Sequence, residues 1–91
     1  MHMTSILLEP NAERAEAVRP SLEAYARRTD HIDAQHLDDA VSLGSVLKAM
    51  ITDLCHLADA AGISGDREEL VFRAYRDYRT ELAYESLDLD G

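Results

Sequence analysis

Ala40, Leu43, Leu47, Met50, Leu54, Leu57 and Ala61 recur through the middle of the chain at alternating steps of three and four. That spacing lines one face of an α-helix. Val46, Ile51 and Ala58 widen the stripe beyond a coiled-coil seam, as expected of a helix that packs against more than one neighbour. Gly62 falls where the chain would turn left-handed to end this helix, and Ile63 would then fold back on Leu57 or Ala58. Gly44 sits inside the pattern and costs about 1 kcal/mol against alanine. It implies either a close helix approach or a late start near Ser42.

Upstream, Ala15, Val18, Leu22 and Tyr25 mark a second helical face. Pro20 lies within it, lacking a backbone N–H and clashing with the preceding turn. The apolar phase survives the proline, so the pattern predicts one kinked helix over about Ala12–Arg28, with two shorter helices meeting near Arg19 as the alternative. Asn11, after Pro10, is placed to cap it. Residues 29–33 read as a connection. Ile6, Leu7 and Leu8 form a patch too short for a helix and read as an extended arm packed on the domain. Downstream, Asp66 opens a third helix, with Glu69 three residues later in a capping-box-like relation. Val71, Ala74, Tyr75, Tyr78 and Leu82 form its inner stripe, and Glu69 and Arg73 an i, i+4 pair. This helix is expected to fade near Glu85, leaving residues 86–91 as a frayed acidic tail. Met1–Met3 read as a cloning remnant. The expectation is an all-α fold: a single helical domain over residues 4–85 with three helices, the last two an antiparallel hairpin over a short Gly-Ile-Ser-Gly turn.

Composition narrows the function. The 91 residues carry 9 basic and 18 acidic side chains, a net charge of −9. Phosphates repel such a chain, so direct nucleic-acid binding is not expected. No stretch of about 20 apolar residues occurs, so no membrane span is expected. One cysteine cannot form an internal disulfide, and a reduced, cytoplasmic setting follows. Large aliphatics and phenylalanine are few for a chain that must order most of its length. Part of the apolar surface is therefore expected against a second copy, completing a four-helix bundle as a homodimer.

The candidate chemistry is sparse. Asp53, His56 and Asp59 stand as Asp-x-x-His-x-x-Asp on one surface of the long helix, a weak metal or general-base candidate. A metal would need further ligands, such as Asp77, Glu81 or Glu85. The simpler reading is a solvated, charge-paired face. His31, Asp33, His36, Asp38 and Asp39 cluster in the connection and could hold a transition metal weakly; more simply, Asp33 or Asp38 caps the long helix. Cys55, beside Leu54 and Ala58, reads as a buried structural thiol. Arg67, Arg73, Arg76 and Arg79 accompany Tyr75 and Tyr78 on the last helix, where neighbouring acids cancel most of their field. No glycine-rich phosphate loop, Ser/His/Asp array, CxxC pair or HExxH motif is present.

The segment MITDLCHLADAAGISGDREELVFRAYRDYRTE resembles small, uncharacterised helical proteins of bacteria, phages and mobile elements that share an LxxDLxHxAdxxGid core. Here that core is Ile51, Asp53, Leu54, His56, Ala58, Asp59, Gly62 and Ile63. The same segment is faintly similar to MazG-type all-α nucleotide pyrophosphohydrolases, which would place Asp53 near their last metal ligand. Their EExxE has no counterpart in residues 9–33.

These readings lead to a non-enzymatic acidic interaction protein that needs no cofactor and binds a bacterial protein partner through helix faces. Asp53, Asp59, Arg73, Arg76, Asp77 and Glu81 are its expected contact residues. Its most specific form is a phage or mobile-element inhibitor, anti-CRISPR-like, whose carboxylates imitate nucleic acid in a basic groove. The alternatives are a degraded MazG-like metal-dependent hydrolase using Asp53 and His56 with Asp77 or Glu81, and a small metal- or ligand-binding regulator.

Overall fold

The computed structural model describes residues 10–90, with side chains as far as Glu85. The expected arm at residues 4–9 and the remnant at residues 1–3 lie outside the described residues. The fold is all-α. Three helices follow one another: α1 (Pro10–Arg28), α2 (Ala40–Ala60) and α3 (Arg67–Asp90).

Each boundary has a local cause. α1 starts at Pro10, whose fixed φ suits a first helical position and whose missing N–H is not needed there. Asn11, expected as the cap, therefore lies in the first turn. Its backbone N–H, which has no partner inside the helix, donates to Glu85 Oε2 at 3.2 Å. Pro20 sits within a single helix, as the unbroken apolar phase implied. α1 ends with Asp30 in the left-handed region (φ 52°). The His31 N–H reaches Ala26 O at 2.9 Å, and the Asp30 N–H reaches Arg27 O at 3.1 Å. This is a Schellman end built on an aspartate, a residue that tolerates the left-handed region better than most.

α2 is capped by Asp39, not by Asp33 or Asp38: its carboxylate accepts the Ser42 N–H at 3.0 Å. Only Asp39 precedes Ala40 directly, which is the geometry a cap requires. Gly62 (φ 74°) closes the helix as expected, with Ile63 N–H on Ala58 O at 3.0 Å and Gly62 N–H on Asp59 O at 3.1 Å. Gly44 fits neither reading made from sequence. The helix already starts at Ala40, and a Cβ at Gly44 would meet nothing within 4 Å. α2 is long and apolar enough to cross a bilayer by length and composition, with a mean hydropathy of 1.3 over its most apolar stretch. The interruptions at Lys48, Asp53 and Asp59 conceal this in a search for an uninterrupted apolar run.

α3 is capped by Asp66, whose Oδ1 accepts the Glu68 N–H at 3.0 Å. It runs on to Asp90, past the expected end near Glu85, and so takes in most of the expected tail. No glycine or proline occurs between Arg67 and Asp90 to stop it.

The chain's contacts group into two compact units. One is Val18–Ile63; the other joins the chain up to Ala17 with Ser64 onward. The division falls inside α1, so each of the other helices finds its described partner in its own half of α1. In the 18–63 unit, Leu22, Ala26 and Val46 are buried, and Tyr25, Ala34, Leu37, Leu43 and Met50 pack around them. In the other unit, the Asn11 side-chain amide donates to Glu81 O at 3.3 Å, and Arg14 pairs with Glu81 at 3.4 Å. Those contacts are polar. No described side chain of α3 is buried.

Candidate functional site

The hydrogen bond that ties α1 to α2 runs from Tyr25 Oη to Asp53 Oδ2, at 2.7 Å. Tyr25 reaches Asp53 because both lie at the border of the faces that bury Leu22, Ala26 and Val46. Donating this bond, and to a smaller degree burial and the negative charge of Asp53, raises the phenol pKa above its ordinary 10.0. Asp53 was expected as a metal or partner contact; part of its bonding capacity is used inside the fold. His56 and Asp59 lie exposed on the following turns of α2.

The histidine-rich connection is a run of tight turns: Ala34 N–H on His31 O, His36 N–H on Asp33 O and Asp39 N–H on His36 O, all at 3.0 Å. His31 Nδ1 accepts the Asp33 N–H at 3.0 Å, so a local backbone bond occupies one of its two ring nitrogens. An open hollow of about 590 Å³ lies over the connection, with Arg27, His31 and His36 on its walls. A smaller one of about 310 Å³ is lined by His31, Lys48, Thr52 and Asp53. Neither gathers ligands: among the described residues, no three His, Cys, Asp or Glu side chains are placed to hold a metal ion. Cys55, expected to be buried, is half-exposed.

The other expected contact residues are on α3. Arg73, Arg76 and Asp77 are exposed, and Glu81 is half-buried by Arg14. The Arg76 guanidinium lies 5.6 Å from the centre of the Phe72 ring, and the Tyr75 and Tyr78 rings are 5.8 Å apart. The sequence pattern points the apolar stripes to the core and to a second copy, and points to the charges for partner contacts. The structure reverses the emphasis. On α2, Leu47 is 42% exposed, Ile51 49%, Leu54 50% and Leu57 61%. On α3, Val71, Tyr75, Tyr78 and Leu82 are exposed between 40% and 53%. Rows of large apolar side chains in water mark contact surfaces.

Comparison with known proteins gives no match: no family model, curated protein or solved structure is detectably similar to this chain.

Proposed function

We propose that this chain is a non-enzymatic interaction protein whose α2 face docks on a protein partner. The observation that carries the reading is the row Leu47, Ile51, Leu54 and Leu57, large side chains at helical spacing that remain about half exposed. A helix presenting such a row suits an apolar groove on another protein. The charge points to the groove's rim. Residues 31–65 carry five acids and one base in a chain of net charge −9, so a basic rim is the complementary one. A bacterial complex that handles nucleic acid offers such a groove, and a phage or mobile-element inhibitor is the specific form of the proposal. A bilayer is the less favourable occupant, because Lys48 and Asp53, near the middle of α2, would each cost about 3 kcal/mol at membrane depth. The setting is the cytoplasm.

The test is affinity capture on the immobilised full chain from a bacterial lysate, beside the Leu54→Glu variant. A partner held by the wild type, released by salt and lost with Leu54→Glu supports the proposal. Equal retention by both chains, or binding of bare DNA at moderate salt, contradicts it.

A further inference from the structure

His31 makes three bonds where α1 gives way to the connection. Its backbone N–H closes the helix on Ala26 O at 2.9 Å, and its carbonyl accepts the Ala34 N–H at 3.0 Å. Its ring Nδ1 accepts the Asp33 N–H at 3.0 Å. This third bond has the reach of an Asx turn, in which an Asn or Asp side-chain oxygen takes the N–H two residues on. Nδ1 is attached to Cγ, as that oxygen is, so the imidazole stands in for an asparagine. The two acceptors differ in one respect. An amide oxygen accepts at any pH, whereas Nδ1 accepts only while it carries no proton. In the imidazolium both ring nitrogens are donors.

The bond begins a series of turns. His36 N–H on Asp33 O and Asp39 N–H on His36 O, both at 3.0 Å, carry the chain to the residue that caps α2. Ala34 and Leu37, in the same stretch, pack against the buried Leu22, Ala26 and Val46. A proton on Nδ1 sets donor against donor, and the half-buried Asp33 loses its acceptor. The first turn then loosens over the cluster it helps to cover. The His31 ring is itself half-buried, on the wall of both hollows. Arg27, Asp30 and His36 share one hollow with it, and Lys48 and Asp53, from α2, share the other.

We propose that His31 is an acid-sensitive latch on the connection between α1 and α2: its neutral ring holds the Asp33 N–H, and protonation releases it. The stabilising effect is present where the ring is neutral and is lost as pH falls through the titration of that ring. The latch is independent of the docking proposal, since no residue of the α2 row takes part.

Nuclear magnetic resonance of the full chain tests it between about pH 8 and about pH 5, the range in which histidine changes charge. At the upper end the His31 ring should carry its proton on Nε2. As the ring titrates, the Asp33 amide proton should move upfield with the same midpoint. Its protection, corrected for intrinsic exchange, should fall about fivefold, the ratio that one net hydrogen bond sustains. His31→Asn supplies the acceptor without the titration, so Asp33 should stay protected at both ends. His31→Ala should lack the protection at both ends. His36→Asn should leave the wild-type response in place, which separates His31 from its neighbouring histidine. An Asp33 amide that does not follow the His31 ring, a proton on Nδ1 at the upper end, or a response that persists in His31→Asn overturns the latch. The first two results come from the wild-type chain, so the proposal stays testable if a substitution unfolds it.

Discussion

Val41 and Val46 lie on the same helix in opposite surroundings, and the pair measures how much of the fold rests on its small buried cluster. Val46 is 0% exposed against Leu22 and Ala26, whereas Val41 is 82% exposed. Val46→Ala deletes two buried methyl-sized groups, about 1.6 kcal/mol by transfer. The cavity left behind raises the loss to about 2–3 kcal/mol. Alanine's better helix propensity offsets about 0.5 kcal/mol of that, for a net loss of about 2 kcal/mol. Val41→Ala keeps only the propensity gain and should stabilise by about 0.5 kcal/mol. The assay is urea unfolding followed by far-ultraviolet circular dichroism at one fixed chain concentration, with the slope checked for constancy. In thermal unfolding, a fall in midpoint temperature of about 10 °C should accompany Val46→Ala. If the two variants differ by less than about 0.5 kcal/mol, the buried cluster does not hold the unit together and the reasoning fails.

Removing the α2 cap by Asp39→Ala should cost about 1 kcal/mol in the same assay, whereas Asp38→Ala should be near neutral. Gly44→Ala should stabilise by up to about 1 kcal/mol, because a Cβ there meets nothing; Gly62→Ala, at φ 74°, should lose about 1 kcal/mol or more. Tyr25 should ionise above the ordinary phenol value. Its folded pKa is raised above the unfolded value, so its stabilising effect is present below about pH 10 and fades as pH rises through the folded value. Ultraviolet titration should show one phenol moving down in Asp53→Ala, and an unchanged curve would contradict the hydrogen bond.

Much of the fold was legible because it is local. The steps of three and four through Leu47 and Leu54 marked α2, and Gly62 followed by Ile63 marked its end, since a Schellman closure spans only a few residues. Asp30 plays the part of Gly62 at the end of α1 and was missed, because an aspartate carries no comparable signal. The run of α3 beyond Glu85 was missed for the opposite reason: acidity was read as fraying, although nothing there breaks a helix. What periodicity could not give was the partner of each face. Ala15, Val18, Leu22 and Tyr25 share one phase, yet Leu22 is buried and Val18 is 52% exposed. The Tyr25–Asp53 bond joins residues 28 apart in the chain, and the Asn11 bonds to Glu81 and Glu85 join residues 70 and 74 apart. Local pattern does not contain such pairings. An apolar stripe shows that a face will be covered, but not whether the same chain covers it.

Amide hydrogen exchange along α2 puts this last point to the most direct test. A row that a protein partner covers predicts that protection of residues 47–57 rises when the captured partner is added, while Val46 and its neighbours stay protected throughout. Protection of residues 47–57 that the partner leaves unchanged would contradict the account.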